Sequence, residues 1–459
     1  MKQQTQAQKN SNLTKGDINA HLKRIAVPAS IGFLFNTLFN VVDTFYAGQL
    51  STEALAGLTI SFPIFFIIIS ISSGIGNGTN ALSSIALGED NNKKYHLVAY
   101  NSFFVSVIIG LAIALLSPLF VEPLLRLTGA SGESLSKGLE YIELIFYGSL
   151  FFVINFIING LLYSQGNTKP FRNFLIIGFL ANLVLDPLFI RGWLFFPEMG
   201  VQGIALATIL VQFFGTIYLS YNLLKSEEFE LSKFFSSKLD KASIYEIFHQ
   251  GIPSALNNAT IAIGIFIINY YALKYGGDSS VAAYGAGTRI EQLALIPTLG
   301  LNVAVLSIIG QNYGANKFKR IHKVRKKATI YGVAIMLLGA AIITPLAPYL
   351  IELFNDDPAV VEAGTTFLRI EVFAFVSYIF LNISVSVLQG IKKPIFAIVI
   401  GVYRQVLPFG LFYLLGTTLN MGVKGVWWGI VIINWSAVAI TLVYTNYQLH
   451  KVEEKKSET

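Results

Sequence analysis

The sequence predicts an all-α membrane protein, with twelve transmembrane helices in two six-helix lobes related by a pseudo-two-fold axis along the membrane normal. Three observations predict it. The chain of 459 residues is 54% hydrophobic and only 13% charged, where soluble domains carry about 25% charged residues. Twelve apolar runs reach the roughly 20 residues that a membrane-crossing helix needs. The chain also repeats its landmarks at a nearly constant offset.

In order, the predicted spans are Ile25–Ala47, Leu55–Leu87, Leu97–Leu119, Leu139–Tyr163, Phe171–Ile190 and Val201–Leu224 in the first half. Those of the second half are Ile244–Leu273, Val281–Ile309, Ala328–Tyr349, Val361–Leu388, Ile395–Leu415 and Val423–Tyr447. Basic residues accumulate on the cytoplasmic side of short loops. Here 25 lysines and arginines, counting Arg172 at the very start of span five, fall in the terminal segments and every second loop, including "NKFKRIHKVRKK", against Arg126, Lys137, Arg191, Lys274 and Lys424 in the opposite loops. The expectation is a multi-pass inner or plasma membrane protein with both termini cytoplasmic. The basic cluster is explained by its place beside the membrane, so no nucleic-acid partner is expected.

The offset is 225 to 226 residues for Pro28 and Pro253, Gly74 and Gly300, Gly88 and Gly314, and His96 and His322. Further on, "SQGNTKP" matches "LQGIKKP" at 224 and "GVQG" matches "GVKG" at 222. Pairs in register with so little drift mark a duplication. Six spans per half is an even number, so both halves start from the same face of the membrane, giving parallel repeats. The expected organisation is a disordered tail over 1–20, an N-lobe over 21–224, a cytoplasmic linker over 225–243, a C-lobe over 244–448 and a C-terminal tail over 449–459. The polar "MKQQTQAQKNSNLTKGD" lacks an apolar core and does not read as a cleavable signal peptide.

The absence of cysteine excludes disulfides, thiolate metal sites and a cysteine nucleophile. The five histidines fall at loop edges, His249 within the first turns of span seven, which argues against histidine relays. "SSGIGNGTN" (72–80) has the glycines of a phosphate-binding loop but lies inside an apolar span without a Walker lysine; close helix packing explains it.

An ionisable side chain inside the membrane is costly and points to function. Asp43 lies in the first span with Asn36 and Asn40 at helical spacing. Asn182 and Asp186 are four apart on span five, Asn155 and Asn159 four apart on span four with Tyr141 toward its other end, and Thr208 is on span six. Positions three or four apart share a helix face. Two carboxylates among amide and hydroxyl oxygens cannot both stay charged in a low dielectric. They hold a proton, or coordinate a hard cation such as Na⁺; the competing reading has them bonded to loops near the membrane ends. The repeat-equivalents of Asp43, Asn182 and Asp186 are Asn269, Val406 and Gly410, so the second half lacks the acids. Glu291, Arg289 and Glu371 are its candidate gating or substrate residues. Pro28 and Pro253 are candidate paired hinges, each removing a backbone hydrogen bond early in its span.

"VDTFYAGQLSTEALAGLTISFP", "LYSQGNTKP", "TRIEQLALIPTLGLNVAVLSIIGQNYGANK" and "VLQGIKKP" together give the chain a resemblance to multidrug and toxic compound extrusion (MATE) transporters, covering about Leu22 to Tyr447. The resemblance implies a non-enzymatic antiporter without cofactors that exports small amphipathic, often cationic, organic compounds through the bilayer in exchange for Na⁺ or H⁺, by alternating access, as a monomer. Asp43, Asn182, Asp186 and Thr208 match the first-lobe cation cluster of one family branch, with Tyr141 and Asn159 around it. Another branch carries acids in spans seven and ten; span seven here has none past Glu246 at its very start. The alternatives are a lipid-linked saccharide flippase of the wider superfamily, for which extra spans or a strongly cationic cavity would speak, and an intramembrane aspartyl protease, whose Gly-x-Gly-Asp signature is missing.

Overall fold

A computed structural model describes residues 12–193 and 196–457, and every regular element among them is helical. The first half contains α1 (Ile18–Leu50), α2 (Thr52–Gly88), α3 (Asn92–Leu127), α4 (Gly132–Tyr147), α5 (Ser149–Ser164), α6 (Lys169–Ile190) and α7 (Val201–Leu224). A short α8 (Leu231–Ser236) lies in the linker. Next come α9 (Lys241–Gly314), α10 (Phe318–Glu352), α11 (Pro358–Gly390), α12 (Phe396–Val406), α13 (Pro408–Tyr413), a π-helical turn (Leu414–Thr418) and α14 (Val423–Ser457).

Among the described residues ten helices are long and apolar enough to cross a membrane, the bent pair α4–α5 makes an eleventh crossing, and the two arms of α9 bring the number to twelve. At 1.5 Å per residue the 74 residues of α9 would run to about 110 Å, far beyond one bilayer. Two arms instead meet at Gly277, whose φ of 67° is open to glycine at no steric cost. The predicted fourth span is broken: α4 and α5 meet at Gly148 with a bend of 50°. A Cβ on Gly148 would stand 2.6 Å from Ile209, so the bend presses bare backbone onto α7. Outward faces are apolar: Leu115, Leu119 and Val443 keep 76%, 74% and 71% of their surface exposed. Faces of this kind need lipid rather than water.

Contacts divide the chain into two compact units. One contains residues 31–255, the other 16–30 and 256–459. These boundaries lie two residues beyond Pro28 and Pro253 rather than at residues 21 and 244. In the first unit α2 is the hub. Gly76 and Gly160 let α2 and α5 touch backbone to backbone, since a Cβ on Gly160 would lie 2.5 Å from the Gly76 carbonyl. Close approach through small residues is how membrane helices pack. Gly74 in turn lies against Gly251 and Ala255 at the start of α9. In the second unit Gly300 makes the repeat-equivalent contact with Ala26 and Ser30 at the start of α1. The duplication seen in the sequence thus recurs as a pair of matching contacts, each made by the opening turns of a unit's foreign helix.

Of the predicted tail over 1–20, residues 1–11 lie outside the described residues. The remainder is ordered: Leu13 is fully buried and α1 starts at Ile18. The C-terminal tail continues α14, where Leu449 is buried and Lys456 Nζ donates to the Tyr313 carbonyl at 3.0 Å. Within the linker, His96 Nε2 accepts from the Glu230 backbone N–H at 2.8 Å, and Asn101 bonds both the Lys238 carbonyl and the Asp240 N–H. Those bonds tie the linker to α3.

Candidate functional site

Three helices of the first unit bring their polar residues to one buried point. Asp43 on α1 is 3% exposed, and Asn182 and Asp186 on α6 are fully buried. Asn182 Nδ2 donates to Asp43 Oδ1 at 2.8 Å, and Thr208 Oγ1 on α7 donates to Asp43 Oδ2 at 3.2 Å. Asp186 interacts electrostatically with Asp43. Tyr141 on α4, also buried, feels both carboxylates.

Position follows from local sequence. The four-residue spacing of Asn182 and Asp186 puts both on the inward face of α6, one turn apart. Pro187 follows Asp186 inside the helix. Such prolines survive in membrane helices because neighbouring groups satisfy the freed carbonyls. On α7, Thr208 belongs to the face that buries Ile204, Ala205 and Val211.

The cluster is rich in acceptors and short of donors. Oδ1 of Asn182 is buried with no hydrogen-bond partner among the described residues, and with both carboxyls ionised the two oxygens of Asp186 find none either; only a proton shared with Asp43 gives them one. A buried acceptor left unmade costs about 1–3 kcal/mol, and more when charged. Adding a cation removes that cost. The donor set is all oxygen, from two carboxylates, an amide and a hydroxyl, which suits a proton shared by the carboxylates or a hard monovalent ion. Among the described residues no group of three or more His, Asp or Glu is placed to hold a metal.

The supporting residues divide. Asn159 is buried with its Oδ1 unpartnered. Asn155 turns to α7, donating to the Gln212 carbonyl at 2.9 Å and to its Oε1 at 2.8 Å. Asn36 is exposed, and Asn40 donates to the Asn36 carbonyl at 2.8 Å. The polar stripe expected along α1 therefore reaches the site only at Asp43, because the helix bonds its own amides.

The second unit holds a charged cluster that the sequence reading assembled only in part. Glu371 on α11 is 1% exposed and accepts from Tyr378 Oη at 2.6 Å; its other oxygen is buried and unpartnered. Glu291 on α9 interacts with Glu371 and Tyr378. The missed member is Arg404 on α12. Its guanidinium lies 5.4 Å from the Tyr378 ring, donates from Nε to Asn434 at 2.8 Å and interacts with both glutamates. An arginine inside the eleventh predicted span was the available signal. Arg289 stands apart, exposed and 6.0 Å from the Phe354 ring.

The MatE family profile matches residues 28–188 and 253–414, one match in each repeat. The chain is 29% identical over 418 residues to a FAD transporter of Shewanella oneidensis, covering 90% of this chain and 91% of the relative. It is 27% identical over 423 residues to the probable multidrug resistance protein NorM of Thermotoga maritima, covering 90% and 89%. Among solved structures it resembles an outward-facing multidrug resistance MATE family transporter of the MOP superfamily, at a TM-score of 0.90 and 27% identity over 97% of this chain and 99% of that one.

Proposed function

Because the chain belongs to the MatE family, we propose that it is a secondary active exporter, expelling small amphipathic and often cationic organic compounds while Na⁺ or H⁺ returns through the Asp43–Asp186 site. The observation that carries this reading is the surplus of buried carboxylate and amide oxygen over hydrogen-bond donors around Asp43, Asn182 and Asp186. Desolvated carboxylates without a counter-charge are unfavourable. The site therefore holds its cation while closed and exchanges it when opened to water.

A cation that binds one facing state more tightly shifts the population toward that state. By linkage, a substrate favouring the other state lowers cation affinity by the same factor that the cation lowers its own. Those two statements suffice for antiport by alternating access. The orientation that accompanies the reading has both termini cytoplasmic, supported by the placement of basic residues. The monomer is taken as the working unit, in a cell membrane.

Efflux of ethidium from proteoliposomes under an imposed Na⁺ gradient, and then an imposed pH gradient, tests the proposal. Acceleration by one of them in the wild type, lost in Asp43→Asn, is the expected result. A second reading concerns cargo alone: the FAD transporter relative supports a flavin dinucleotide as substrate, and competition of ethidium efflux by FAD would favour it. Family membership disfavours the saccharide flippase and the aspartyl protease.

A further inference from the structure

The geometry points to a separate access vestibule for the coupling cation at the C-terminal ends of α1 and α6, with Glu198 as the residue that draws cations into it. A cavity of about 60 Å³ lies there, lined by Tyr46, Gln49, Leu50, Ile190, Arg191 and Glu198, with Pro187 at its floor. At roughly 15 Å³ of free centre space per water it admits about four water molecules. This inference rests on the cation-site reading above and adds the ion's route.

Continuity with the site is built into the helices. Pro187 and Ile190 follow Asp186 by one and four residues, and Tyr46 follows Asp43 by three, so the cavity begins one turn beyond the two carboxylates on the same two helices. Asp186 beneath it is fully buried, its oxygens partnered only by a proton shared with Asp43. Neither carboxylate lines the cavity; one helical turn, bridged where Tyr46 Oη donates to the Leu183 carbonyl at 3.1 Å, separates it from those oxygens and is what a passing cation must open.

The electrostatics of the mouth favour cations. Both α1 and α6 end at the cavity, but the half charges of their C-termini are offset by the N-termini of α2 at Thr52 and α7 at Val201. The negative charge at the mouth is therefore that of Glu198. It is held over the end of α6 by a returning loop, in which Met199 N–H donates to the Phe189 carbonyl at 3.1 Å and Gly200 N–H to the Ile190 carbonyl at 3.3 Å. Gly192 permits that return, since a Cβ there would lie 2.5 Å from the Glu198 nitrogen. Arg191, the opposing charge, lines the same cavity but is engaged by other groups: its Nη2 donates to Gln49 at 3.4 Å, and its guanidinium lies 5.7 Å from the Trp193 ring. Among the described residues Glu198 makes no ion pair.

The chain has no cysteine, so a single introduced thiol reports on one place. Ile190 is 4% exposed and lines the cavity, so Ile190→Cys reacts with a small cationic methanethiosulfonate only if water reaches it there. In proteoliposomes with the vestibule facing the reagent, modification is expected to cut ion-driven ethidium efflux at least fivefold while leaving ethidium binding unchanged. Glu198→Gln, which needs no modification, is expected to raise the ion concentration for half-maximal efflux three- to tenfold with the maximal rate unchanged. That shift should shrink at high ionic strength, where surface charge is screened. An unreactive Ile190→Cys together with wild-type ion dependence in Glu198→Gln would overturn the vestibule. If Asp43→Asn is uncoupled in the same preparation, the vestibule alone has failed; ion-driven efflux persisting in Asp43→Asn overturns the function reading instead.

Discussion

Asn182 donates to Asp43 across 2.8 Å although the two residues are 139 positions apart in the chain. That bond joins α1 to α6 and aims one carboxylate oxygen at an amide, while Thr208 takes the other. It leaves Asp186, one turn along α6, with no partner but the Asp43 carboxyl itself, and that bond needs a proton between them. The asymmetry gives the two acids different work: Asp43 is the oriented ligand and Asp186 the one whose needs only a cation meets.

Asp186→Asn removes the charge and leaves an amide that can still donate to Asp43, the one group Asp186 bonds. Expression and thermal unfolding of the purified protein should stay near wild type, and gradient-driven dye efflux should fall to the rate of empty liposomes. Fluorescence-detected size exclusion and an efflux assay read the two halves of this prediction.

Thr208→Ala takes one neutral donor from Asp43. A single such bond contributes about 1 kcal/mol, so the ion concentration for half-maximal efflux should shift by a factor of about five. Thr208→Ser keeps the hydroxyl and should restore it. An equal defect in both variants would mean that packing, not the hydrogen bond, is at stake.

Much of this site was legible in the sequence. Acids within apolar runs are rare enough to stand out, and the four-residue spacing of Asn182 and Asp186 fixed their common face. The repeat offset likewise linked Gly74 with Gly300, which make equivalent contacts in the two units. What stayed hidden depends on which side chain a helix satisfies by itself. Asn40 has the same spacing from Asp43 as a site residue would, yet its amide is taken by the Asn36 carbonyl. The Glu291, Glu371, Tyr378 and Arg404 cluster draws on three helices, and no periodicity within one helix announces it. The break at Gly148 was hidden too, since hydropathy does not register a bend; the reversal between spans seven and eight was legible at 274–280, though "KYGGDSS" is helical there except at Gly277.

The second-unit cluster yields its own prediction. Arg404→Leu leaves Glu291 and Glu371 without their cation, and breaking a buried charged network costs about 3 kcal/mol or more. The melting temperature in detergent should drop by several degrees. Adding Glu371→Gln to Arg404→Leu removes one of the uncompensated charges and should recover part of the loss.

Helix contact through bare backbone gives a control on the fold. Gly160→Ala places a methyl 2.5 Å from the Gly76 carbonyl oxygen, backbone that cannot move aside. Overpacking of this kind costs about 1–3 kcal/mol. Gly339→Ala on α10 meets nothing within 4 Å and should be neutral or slightly stabilising, since alanine is the better helix former. Thermal unfolding of the pair separates packing from propensity.

The most direct test of the central claim is the ratio of ethidium efflux with and without an imposed cation gradient, measured in proteoliposomes for wild type and Asp43→Asn side by side. The account predicts a ratio well above one for wild type, under Na⁺ or under protons, and a ratio of one for the variant. A variant that keeps the wild-type ratio would contradict it.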